Sequence, residues 1–69
     1  MKFSARNQVQ GKVTAINAGA VNTEVVIEIA AGVEVVSIIT NSSVESLGLE
    51  VGKQAYAVIK ASNVMVAVD

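Results

Sequence analysis

The stretch Val33-Glu34-Val35-Val36-Ser37-Ile38-Ile39-Thr40-Asn41-Ser42-Ser43-Val44-Glu45-Ser46-Leu47-Gly48 changes character at its midpoint. Residues 33–40 read as a strand, with apolar pairs at Val35-Val36 and Ile38-Ile39. Beyond Thr40, Ser42 followed three residues later by Glu45 has the spacing of a capping box, and Gly48 suits the left-handed residue that ends a short helix. The reading is a strand that runs into one to two helical turns.

Working upstream, Ala31-Gly32 is too short for anything but a tight connection, so residues 33–40 pair with the preceding strand as a hairpin. That preceding strand covers Asn22–Ala30, where Val25, Ile27 and Ile29 face one way and Glu24, Val26, Glu28 and Ala30 the other. Asn17-Ala18-Gly19-Ala20 breaks the pattern. Before it, Val9, Gly11, Val13 and Ala15 alternate with Gln8, Gln10, Lys12 and Thr14, which makes Asn7–Ile16 the first strand. Gly11 inside it reads as a bulge or a barrel bend. Downstream, Glu50-Val51-Gly52-Lys53 is a polar turn, and Gln54–Lys60 and Val64–Val68 read as fourth and fifth strands. The expected fold is all-β: a five-stranded OB-like barrel with one short helix between strands 3 and 4, in one domain over residues 1–69.

Composition adds a constraint on how such a barrel can persist. Of 69 residues, 52% are apolar, 3% aromatic and 16% charged. A chain this short buries only about 60% of its unfolded surface. Disulfides are impossible without Cys, and a thiolate or imidazole metal site is absent with no Cys and no His. Oligomerisation is the reinforcement left. Strands 3 to 5, apolar at adjacent positions, agree, because such runs require cover on both faces.

The same absences remove an imidazole general base, a Ser-His pair and a thiolate nucleophile, so the chain reads as a non-enzyme. A net charge of −1, with Lys2, Arg6, Lys12, Lys53 and Lys60 scattered, argues against a broad nucleic-acid footprint. No stretch reaches the roughly 18 apolar residues of a membrane span, and Met1–Gln8 turns polar before any signal-type apolar region forms. The expectation is a soluble, cytoplasmic chain with no membrane partner.

Three donor clusters lie at strand ends: Ser4-Ala5-Arg6-Asn7-Gln8, Thr40-Asn41-Ser42-Ser43 and Lys60-Ala61-Ser62-Asn63. Hydroxyls, free N–H groups and the sole Arg can together hold an oxyanion. Each also has a purely structural reading: Ser42 or Ser43 as a helix cap, Lys60 as an edge charge, Arg6 as a solvated terminus. The rival functional classes are an OB-type nucleic-acid-binding module, for which only Phe3 and Tyr56 offer stacking surfaces, and a ligand-free assembly module.

Ser4-Ala5-Arg6-Asn7-Gln8, with Gly11-Lys12-Val13, Glu24-Val25-Val26, Ser37-Ile38-Ile39-Thr40, Leu47-Gly48, Gly52 and Val58-Ile59-Lys60-Ala61, resembles the molbindins over essentially the whole chain. These are small Mop-type molybdate-binding proteins. The resemblance implies a homo-oligomer, a hexamer arranged as a trimer of dimers, in which the N-terminal segment pairs into a neighbouring subunit. It implies a molybdate or tungstate ligand serving storage or homeostasis. By motif, the principal site falls on Ser4, Ala5 and Arg6 of one chain with Thr40, Ser43, Lys60 and Ala61 of its partner. Ala61 stands where some relatives have Ser, and offers only its backbone N–H. A second site near the threefold axis falls on Gly19, Ala20, Val21 and Asn22.

Overall fold

Alternation along residues 22–40 produces the hairpin that organises the sheet. In the computed structural model, which describes residues 1–69, strand β2 (Asn22–Ala30) buries Thr23, Val25 and Ile27 on one face while Glu24 is exposed on the other. It pairs antiparallel with β3 (Val33–Thr40), from Asn22 opposite Thr40 to Ala30 opposite Val33. Ala31 and Gly32 turn the chain, with Gly32 at φ 74°.

Strand β1 (Asn7–Ala18) carries two partners along its twelve residues. Its first half pairs antiparallel with β4 (Gln54–Ile59), from Asn7 opposite Ile59 to Lys12 opposite Gln54. Its second half pairs with β2, from Lys12 opposite Glu28 to Ala18 opposite Thr23. The sheet order is therefore β3-β2-β1-β4, with β3 and β4 at the two edges. The expected bulge or bend at Gly11 resolves differently. The irregularity falls between Val13 and Ala15, whereas Gly11 is a point of close approach: a Cβ there would lie 2.5 Å from the Glu28 carbonyl oxygen and 2.7 Å from Ile27 Cγ2.

Helix α1 (Asn41–Leu47) follows β3 without a linker. Its cap is Thr40 rather than Ser42: the Ser43 backbone N–H donates to Thr40 Oγ1 at 3.1 Å. The capping hydroxyl thus sits two residues earlier than the Ser42/Glu45 spacing suggests. Gly48 closes the helix at φ 62°, as expected. Lys53 Nζ donates to the Gly48 carbonyl at 2.8 Å, placing a cation on the free carbonyls of the helix end.

The chain forms four strands, not five. Val64–Val68 follows a 3-10 turn at Ala61–Asn63 and pairs with nothing. Its apolar run has the composition of a strand, but a ladder needs a neighbour, and within one chain this segment meets none. Strand 1 extends two residues beyond Ile16, to Ala18, and strand 4 ends at Ile59, one short of Lys60.

The core is correspondingly thin. Val13, Val25, Ile27 and Ala57 are its buried apolar members, and with Thr23 they make five buried residues of 69. Val36 and Ile38 remain 58% and 68% exposed on the outer face of β3. So small a core is a weak basis for an isolated domain. No helix is long and apolar enough to cross a membrane.

Candidate functional site

Pairing of Asn7 with Ile59 decides what meets at the start of β1. Continuing the two strands past this pair brings Ser4, Ala5 and Arg6 against Lys60, Ala61 and Ser62, and these six residues line an open cleft of about 440 Å³. Five of the principal-site residues expected from the sequence therefore converge within a single chain. Asn7 Nδ2 donates to the Ile59 carbonyl at 3.2 Å and locks the two segments together.

The cleft is rich in hydrogen-bond donors. No carboxylate lines it. The side chains of Ser4, Arg6, Lys60 and Ser62 make no hydrogen bond within the chain, whereas Lys53 is engaged with the end of α1. The Asn63 and Val64 N–H groups close the 3-10 turn onto the Lys60 and Ala61 carbonyls, which leaves those of Ala61 and Ser62 without a backbone partner. Two cations, two hydroxyls and free amides suit a multiply charged oxyanion. No group of three or more His, Cys, Asp or Glu side chains gathers anywhere in the chain.

Thr40 and Ser43 do not line this cleft. Thr40 pairs with Asn22, beyond the Ala18 end of β1, and so lies at the opposite end of that strand. There Thr40 Oγ1 donates to Ser43 Oγ at 2.8 Å, which leaves the Ser43 hydroxyl proton free to point outward. The residues Gly19, Ala20, Val21 and Asn22 form the adjacent turn, closed by Gly19 N–H donating to the Asn22 carbonyl at 2.7 Å. The Ala20 and Val21 N–H groups have no partner in the chain.

Asn41, which the sequence offers as one member of a candidate donor cluster, is spent within the chain as an organiser. Its Nδ2 donates to the Gly19 carbonyl at 2.9 Å, its backbone N–H to the Val21 carbonyl at 2.8 Å, and its Oδ1 accepts from the buried Thr23 hydroxyl. Asn41→Ala strands that hydroxyl and frees the turn, and is expected to cost about 1–3 kcal/mol; urea unfolding checks it. The signal for Asn41 was a polar residue directly after a strand, and only the fold reveals that Thr23 lies beneath it.

The match to known proteins covers nearly the whole chain. Residues 4–66 match the TOBE domain family. A probable molybdenum-pterin-binding protein of Haemophilus influenzae is 52% identical over 69 residues, 100% of both chains. A molybdate-binding protein from Sporomusa ovata superposes with a TM-score of 0.91 at 35% identity, covering 99% of this chain and 100% of that one. The cytoplasmic molybdate-binding protein ModG, in a form with molybdate bound, superposes at 0.89 with 48% identity over 94% of this chain, which spans 46% of ModG. The chain belongs to the TOBE domain family, among the molbindins.

Proposed function

We propose that this chain binds molybdate or tungstate in the cleft of Ser4, Ala5, Arg6, Lys60 and Ala61, as an intracellular store or buffer of the oxyanion. The observation that carries the reading is the pairing of Arg6 and Lys60 in one cleft with no carboxylate among its lining residues. A doubly charged tetrahedral anion needs several charge-assisted N–H and O–H donors, and the cleft offers them unspent. The cleft is open to solvent in one chain, which keeps its electrostatics weak. Enclosure by a second copy that brings Thr40 and Ser43 would complete the donor set and exclude water. On this reading the working unit is a homo-oligomer of one-domain chains, residues 1–69 each, built as a hexamer from three dimers, resident in the cytoplasm and acting as a binder rather than a catalyst. A weaker site uses the free amides of the Gly19, Ala20, Val21 and Asn22 turn near a threefold axis.

Titration calorimetry with molybdate, beside thermal melting at fixed protein concentration, tests the reading. Ligand at 100 times its Kd contributes about 2.7 kcal/mol to the bound state, which for a chain of this size raises Tm by about 10 °C or more. An unchanged transition at saturating molybdate would sink the proposal. Retardation of single-stranded nucleic acid at low salt, lost as salt rises, would instead support the OB-type nucleic-acid module.

A further inference from the structure

Two consecutive amide side chains at the start of β1 each take up a carbonyl beside the Arg6–Lys60 cleft. Successive side chains of a strand point to opposite faces, so the two reach different targets. Asn7 Nδ2 crosses to the Ile59 carbonyl at 3.2 Å, while Gln8 Nε2 reaches back along its own segment to the Ala5 carbonyl at 3.1 Å. Ile59 and Ala5 immediately precede Lys60 and Arg6, the two cations of the cleft. The carbonyls engaged therefore belong to the very peptide units that carry the Lys60 and Arg6 N–H groups.

In a trans peptide the carbonyl and the N–H point in opposite directions, so holding one aims the other. The Arg6 N–H donates to no acceptor in the chain. Ala5 lines the cleft without a polar side-chain atom, and what it can present there is its peptide groups. A carbonyl oxygen turned toward a dianion would repel it, whereas an N–H would bind it. The Gln8 bond ties up that oxygen and polarises the same peptide, which strengthens the N–H as a donor. The bond does little for the fold: Gln8 is exposed and its partner lies three residues away, in a bend outside the ladder. Gln10, the next residue on the same side of β1, is equally exposed, and its side chain makes no hydrogen bond in the chain.

We infer that Gln8 is a positioning residue for the oxyanion: by holding the Ala5 carbonyl it presents the Arg6 main-chain N–H to the ion, without touching the ion itself. The inference rests on oxyanion binding in this cleft as proposed above. It concerns the main chain at Arg6 and not the guanidinium, so this donor persists in an Arg6→Ala chain.

Titration calorimetry with sodium molybdate on the full-length chain, as wild type, Gln8→Met and Gln10→Met, is paired with proton–nitrogen correlation NMR of the Arg6 amide. Gln8→Met keeps the side-chain length and removes the donor, and is expected to weaken molybdate binding roughly 3- to 10-fold, the scale of one hydrogen bond. Gln10→Met makes the same replacement where no carbonyl is held, and is expected to bind as the wild type does. The Arg6 amide proton is expected to move downfield as molybdate saturates the wild type, and to move much less in saturated Gln8→Met. A wild type that does not bind molybdate overturns the functional reading and this inference with it. A wild type that binds while its Arg6 amide stays unmoved, or a Gln8→Met chain that binds undiminished, overturns the role of Gln8 alone. Equal weakening in Gln10→Met overturns it too, as does a weakened Gln8→Met whose Arg6 amide responds as in the wild type. Should Gln8→Met fail to fold by circular dichroism, the wild-type Arg6 resonance still decides.

Discussion

Arg6→Ala is expected to weaken molybdate binding at the principal site by roughly 10- to 150-fold, the equivalent of about 1.5–3 kcal/mol for a lost charge-assisted contact. The side chain lines the cleft and has no hydrogen-bonding partner within the chain, so its removal leaves folding contacts intact. Any loss measured by calorimetry is then a loss of ligand contact. Arg6→Lys separates charge from geometry: an ammonium keeps the positive charge but not the planar fork that meets two oxygens at once. Its affinity is expected between those of wild type and Arg6→Ala. Ions held at the turn of Gly19 to Asn22 should be retained in both variants, and equal loss at the two sites would refute the residue assignment.

Gly11→Ala is expected to have the largest effect on stability, about 3 kcal/mol or more, at the upper end of overpacking costs. The added Cβ would stand 2.5 Å from the Glu28 carbonyl oxygen, and backbone cannot swing aside as a side chain can. Lys12, the next residue, pairs with both Glu28 of β2 and Gln54 of β4, so displacing β1 here disturbs two ladders together. Small domains hold only about 5 kcal/mol at the low end, so the variant should keep about 2 kcal/mol or less and unfold at a much lower urea concentration than the wild type. Gly32→Ala is the control. It meets open space at φ 74° and costs only the left-handed backbone penalty, about 1–2 kcal/mol. Urea denaturation that ranks Gly32→Ala as the more damaging would overturn the close-approach account.

The hairpin of β2 and β3 and the helix after it were legible because their signals are local. Alternation at Val25 and Ile27, the two-residue turn at Ala31-Gly32 and the stop at Gly48 each act within a few positions. Thr40 was missed as the cap because Ser42 and Glu45 fit the same spacing pattern, and only the backbone at Thr40, extended at ψ 153°, shows where the helix begins. Val64–Val68 read as a strand because composition reports an appetite for pairing and says nothing of the partner. The donor clusters were legible as residue types. That Ser4, Ala5 and Arg6 meet Lys60 and Ala61 inside one chain was not, since the contact depends on the register of β1 against β4.

That register also sets the order of events in folding. The β1–β2 and β2–β3 pairings join neighbours along the chain, whereas the bond from Asn7 to Ile59 spans 52 residues. Closure of the longest loop carries the greatest entropic cost and comes after the local hairpins. The Arg6–Lys60 cleft is thus expected to assemble after the hairpins and to open before them. An anion bound there is expected to act on the unfolding rate, prolonging the lifetime of the native chain, while leaving the refolding rate nearly unchanged. The donors that capture the ion would serve at the same time as a kinetic latch between the two ends of the polypeptide.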